Sequence, residues 1–108
     1  MPVFLVMMSY PISEGPDHRD VLGVYSTLNK AIDRVMTIYL EMAAAGRLNA
    51  LRDESYWVEE WRIDSGCSVS ISVSGEGISS NKLTPSVAAW KPSVLFESFD
   101  WKVYDKIF

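Results

Sequence analysis

Apolar residues run almost without interruption from Val3 to Tyr10 (Val-Phe-Leu-Val-Met-Met-Ser-Tyr), the pattern of a central strand covered on both faces. The stretch Pro11 to Asp20 holds two prolines, a glycine and four charged residues, which suit neither a regular ladder nor a long helix, so it reads as a loop. Val21 to Tyr25 resumes an apolar pattern around Gly23 and predicts a second strand, paired with the first as a wide hairpin. Ser26 and Thr27 can each cap a helix by accepting a hydrogen bond from a free amide of its first turn. Beyond them Leu28, Ile32, Val35, Tyr39 and Met42 recur at steps of three and four, while Asn29, Lys30, Asp33, Arg34, Thr37 and Glu41 gather opposite. The spacing predicts one amphipathic helix over about 27–45, with Gly46 as a plausible terminator.

Arg47 to Ser55 allows one helical turn or a continuation of the helix. Tyr56 to Asp64 is rich in strand formers, and its alternation places Trp57, Glu59, Trp61 and Ile63 on one face, with the two tryptophans expected to pack beneath the helix. Ser68 to Ser74 alternates strictly between hydroxyl and apolar side chains, the mark of a half-exposed strand; a flexible linker would have no use for Val69, Ile71 and Val73. Gly75-Glu76-Gly77 closes that strand as a turn, Ile78 to Ser93 reads mostly as loop, and Val94 to Tyr104 reads as two short extended segments broken near Phe99 and Asp100. The fold class that follows is α+β: a small, mostly antiparallel sheet of four to six strands packed against one main helix. The whole of 1–108 is expected to form a single domain, with a ββαβ unit over 3–64 and added strands and loops over 65–108.

Composition narrows the function classes. Ten basic residues against fourteen acidic ones give a net charge of -4, which lacks the basic footprint of a nucleic-acid binder, so direct nucleic-acid binding is not expected. Cys67 is the single cysteine, which removes any intramolecular disulfide and fits a reducing, cytoplasmic setting. The apolar N-terminal run is short, lacks a basic leader and meets Pro11, and Arg34, Glu41 and Arg47 interrupt the longest later candidate; a soluble protein without a membrane span is expected.

The segments Val3-Phe4-Leu5-Val6, Gly23-Val24-Tyr25-Ser26 leading into the helix with Ala31, and Tyr56-Trp57-Val58-Glu59-Glu60-Trp61-Arg62-Ile63-Asp64 resemble a small family of bacterial and phage proteins. The resemblance spans roughly residues 3–64 and implies a compact ββαβ unit. It brings no activity, cofactor or catalytic residue with it, and 65–108 extends beyond its pattern.

Motifs for catalysis are not evident. His18 lies in Asp17-His18-Arg19-Asp20, but sequence neighbours seldom converge on one ion, and neither a second histidine nor a Cys-x-x-Cys pair completes a zinc site. Cys67 and His18 would need to meet to form a thiolate–imidazole pair, and the sequence gives no reason that they do; a small buried hydrophobe is the expectation for Cys67. Glu59 and Glu60 point to opposite faces of a strand and cannot serve together as an acid–base pair. Gly75-Glu76-Gly77 lacks the helix that a phosphate-binding loop requires. The expectation is therefore no enzyme, no metal and no cofactor.

Nine of the thirteen aromatic residues, including all four tryptophans, lie between Tyr56 and Phe108. Trp and Tyr concentrate at binding hot spots because they remove much apolar area from water and keep a polar handle. The sequence accordingly suggests a non-catalytic protein-interaction protein whose partner-binding surface comprises Trp90, Phe99, Trp101 and Tyr104, with Glu54, Glu59, Glu60 and Asp64 opposing basic groups of the partner. Given the phage resemblance, one concrete form is an inhibitor that docks on a host defence complex of CRISPR type and blocks its basic nucleic-acid channel. Two alternatives stand beside it: a small-ligand binder or enzyme with a pocket between the helix and the C-terminal segment, and a structural subunit that forms homo-oligomers through an open edge strand such as Val69 to Val73.

Overall fold

The computed structural model describes residues 1–107. Five strands form one antiparallel sheet: β1 (Pro2–Tyr10), β2 (His18–Tyr25), β3 (Ser55–Arg62), β4 (Ser68–Ser74) and β5 (Gly77–Ser80), in the spatial order β2-β1-β3-β4-β5. The main helix α1 (Leu28–Ala44) follows β2, a single 3₁₀ turn (Leu48–Arg52) leads into β3, and three short helices end the chain: α2 (Pro85–Ala89), α3 (Val94–Ser98) and α4 (Trp101–Asp105). No helix among the described residues is long and apolar enough to cross a membrane.

Thr27 begins α1 as its sequence suggests, with its hydroxyl oxygen accepting a hydrogen bond from the Lys30 amide at 3.2 Å. The helix ends where Gly46 takes a left-handed conformation (φ +69°), which glycine adopts without the steric cost a side chain would bring. Leu28, Ala31, Ile32, Val35, Met36, Ile38 and Tyr39 form its buried side. They pack on Phe4 and Val6 of β1 and Val58 of β3, which the register aligns on one face: Val6 opposes Val58, and Phe4 opposes Glu60. Each large aliphatic side chain so buried contributes about 1.5–3 kcal/mol relative to exposure.

The C-terminal helices extend this layer over the rest of the sheet. Phe96 and Phe99 join Val69, Ile71 and Val73 in the same buried cluster, and the Trp101 side chain lies so close to Gly75 that a Cβ there would sit 3.2 Å from the Trp101 Cβ and 3.3 Å from its ring. Polar ties fix the segment: the Asn29 amide donates to the Lys91 carbonyl at 2.8 Å, the Ser93 hydroxyl bonds the Asp33 carboxylate, and Arg52 donates to the Ile107 carbonyl at 3.1 Å. Residues 94–98 and 101–105 are helical rather than extended, with the break at Phe99 and Asp100. Each short helix has its own cap, from Thr84, Ser93 and Asp100, and the five-residue lengths are too brief to leave a helical period in the sequence.

Four further expectations change. Val69 to Val73 is not an open edge, because β5 pairs with β4 and covers it; β2 and β5 are the edges. The segment expected to be mostly loop after Ile78 contains β5 and α2, and β2 begins earlier than its apolar core, at His18. Cys67 is exposed in the turn between β3 and β4, where the nearest polar contact is the Lys82 amine at 4.0 Å, rather than buried as a small hydrophobe.

Candidate interaction surface on the open face of the sheet

Strand alternation divides β3 into two sets of side chains. Val58 and Glu60 point under the helices and are buried, whereas Trp57, Glu59 and Trp61 point to the other face, against which no helix of the described residues packs. The expectation that Trp57 and Trp61 lie beneath α1 is therefore reversed. Both sets contain large apolar residues, so alternation alone does not choose between them. Register does: the set carrying Val58 is the one aligned with Phe4 and Val6 on one side and with Val69 and Ile71 on the other.

The same register assembles the open face. Val3, Leu5 and Met7 of β1 stand opposite Trp61, Glu59 and Trp57, and Val24 and Val21 of β2 stand opposite Leu5 and Met7. A bulge at Leu22 restores the alternation between those two valines. Val21 and Val24 are 52% and 62% exposed, and Ile63, just past the end of β3, is 63% exposed, values that mark apolar side chains left to solvent. The other half of the face is polar, since Ser68, Ser70, Ser72 and Ser74 of β4 occupy the corresponding positions.

Glu59 lies at the centre of this surface. Its two carboxylate oxygens each accept one indole N–H, from Trp57 at 2.9 Å and from Trp61 at 2.9 Å. The three side chains sit at successive same-face positions, about 7 Å apart along the strand, so the carboxylate holds both rings in orientation. Among the described residues His18 Nε2 lies 2.9 Å from the Asp20 carboxylate, and no cationic side chain pairs with Glu59.

The other residues singled out from the sequence are dispersed. Glu60 is only 2% exposed and accepts from the Thr84 hydroxyl at 3.1 Å, so it braces α2 from inside the protein and cannot meet a partner. Glu54 accepts from the Tyr56 hydroxyl at 2.7 Å on the helix side of the sheet. Asp64 is exposed in the β3–β4 turn with a left-handed backbone (φ 67°). Phe99 is buried at 5% exposure, while Trp90, Trp101 and Tyr104 are half-buried and interlocked: Trp90 meets Phe96 edge-on, and Trp101 contacts Phe96, Phe99, Tyr104 and Tyr39. Phe108 lies outside the described residues.

A pocket of about 200 Å³ does open between the sheet, α1 and α4, lined by Tyr39, Glu54, Tyr56 and Tyr104 among others. It is smaller than the roughly 300–1,000 Å³ usual for ligand sites, whereas an open cleft of about 460 Å³ lies between the end of α1 and the C-terminal segment, lined by Ala43, Leu48, Arg52, Val103 and Ile107 among others. Burial pushes the Tyr39 phenol well above its ordinary range, aided by Tyr104 and Tyr56; burial and then the Glu54 hydrogen bond and charge do the same for Tyr56, against a smaller opposing effect of Arg47. These phenols hold their protons at neutral pH and act as hydrogen-bond donors. Among the described residues no cluster of histidine, cysteine and acidic side chains could hold a metal.

Fold and surface together define a small α+β domain with one sheet face sheltered and the other uncovered. Set against protein-family models, curated proteins and solved structures, the chain matches none.

Proposed function

We propose that this chain is a non-catalytic domain that binds another protein through the uncovered face of its sheet. The observation that carries the reading is the orientation of β3, which turns Trp57 and Trp61 outward beside Leu5, Met7, Val21 and Val24. Its aromatic centre with a polar serine margin has the composition of an interface core and rim. Proteins that bind through a rigid, preformed surface lose little conformational entropy on association, and two tryptophans fixed by hydrogen bonds to one carboxylate meet that condition.

Site-specific photo-crosslinking tests this reading. A crosslinking residue at Val24, on the open face, is compared with one at Val94, which is 81% exposed on the α3 helix. Capture of a defined protein through Val24, with affinity for the purified partner lowered by Trp57→Ala and Trp61→Ala but not by Trp90→Ala, is the expected result. Capture through Val94 alone, with Trp90→Ala the damaging variant, would transfer the surface to the C-terminal rings.

A further inference from the structure

Glu59 combines several properties: it is a half-buried carboxylate, oriented by two indole donors, with no cationic partner among the described residues and acceptor capacity beyond those two donors. A carboxylate offers about four acceptor directions, two on each oxygen. The Trp57 and Trp61 indoles use one on each oxygen, so both oxygens keep acceptor capacity for a further donor. Neutral donors fill the occupied positions, so the negative charge remains uncompensated among the described residues. Leu5 on β1 and Ser70 on β4 flank it across the sheet, so its neighbours are one aliphatic side chain, one hydroxyl and two indoles.

We infer that the Trp57–Glu59–Trp61 row receives an arginine side chain presented by the protein partner, an assignment that rests on the open-face reading above. A carboxylate with acceptor capacity left on both oxygens suits the planar fork of a guanidinium, which can donate to both at once; a lysine ammonium would act there as a point charge. Guanidinium is weakly hydrated and favours aromatic neighbours, and two indoles flank this carboxylate. The half-buried setting weakens solvent screening, so the pair counts for more than an ordinary exposed ion pair. A net charge of -4 on the chain adds long-range attraction for a basic partner.

The test uses the intact protein, labelled with ¹⁵N, titrated with Nα-acetyl-arginine amide, Nα-acetyl-citrulline amide and Nα-acetyl-lysine amide while the two indole N–H resonances of Trp57 and Trp61 are followed. Citrulline keeps the shape of arginine and removes its charge. Saturable shifts of both resonances with the arginine probe, at concentrations about tenfold lower than with citrulline and lower than with lysine, are expected. Their loss in Glu59→Gln, whose fold is checked by amide dispersion, is expected as well. Equal responses to arginine and citrulline in the wild-type protein would overturn the assignment without recourse to any variant, as would an unchanged titration in Glu59→Gln. If Val24 crosslinks a protein while the probes show no preference, the arginine assignment falls and the open-face reading stands. Absence of any crosslink through Val24 removes the partner itself.

Discussion

Two groups of aromatic rings sit on opposite sides of one sheet and are held in different ways. Phe96, Phe99, Trp101 and Tyr104 lock into one another and into Tyr39, and their edge-to-face and tilted contacts close the core over β4. Trp57 and Trp61 touch no other ring in an aromatic pair among the described residues; a carboxylate positions them instead. Rings that serve as packing are held by rings, and rings that stay accessible are held by a polar group that leaves their apolar surface free. Aromatic density along the chain is therefore a poor guide to a binding surface. The denser C-terminal cluster is mainly the second half of the core.

The sharpest way to break the comparison is to empty the packed side. Phe96→Ala or Phe99→Ala should destabilise the protein by about 3–5 kcal/mol, read from urea unfolding, through lost burial and the cavity left behind. A loss below about 1 kcal/mol would show that the C-terminal rings are dispensable to the core. On the open side, Trp57→Ala and Trp61→Ala should each weaken partner binding by about 2 kcal/mol, roughly 30-fold, while costing much less stability than the phenylalanine changes. Similar stability losses from both groups would erase the distinction drawn here. Thr84→Val removes both the α2 cap and the hydrogen bond to buried Glu60, and should cost about 1–2 kcal/mol by the same unfolding assay, with partner affinity unchanged. The smallest effect concerns alkaline pH. Above about pH 10 the tyrosines of the unfolded chain ionise while Tyr39 and Tyr56 stay protonated in the fold. The unfolded state then binds fewer protons, so stability present below that pH should fall as pH rises. Tyr39→Phe should make this decline shallower in urea midpoints measured between about pH 9 and 11, even though the substitution lowers stability at neutral pH or leaves it unchanged.

Much of the architecture was legible in the chain. The step of three and four from Leu28 to Met42, the Thr27 cap and the strict alternation from Ser68 to Ser74 each have a single physical reading, and the structure contains the corresponding helix and strand. The orientation of β3 was not legible, because Tyr56 and Val58 compete with Trp57 and Trp61 for the interior, and the choice depends on pairing with distant strands. The short C-terminal helices left signals only in their caps: Thr84 before Pro85, Ser93 three residues before Phe96, and Asp100 before Trp101. Of the eight residues expected at the partner surface, Glu59 alone lies on the open face. Trp57 and Trp61 carry the rest of the candidate site, although bulky rings at alternate positions normally mark the interior.

The serine row on β4 limits the shape of whatever docks. The apolar strip spans three strands, about 14 Å across at the usual strand spacing, and about five residues, roughly 17 Å, along them. That footprint of roughly 240 Å² is under a third of the approximately 800 Å² that a stable complex takes from each partner. A binder that relies on it must therefore reach beyond the strip, either over the hydroxyl-lined strand or around the bulged margin of β2, and the side it chooses decides whether its approach is wet or dry.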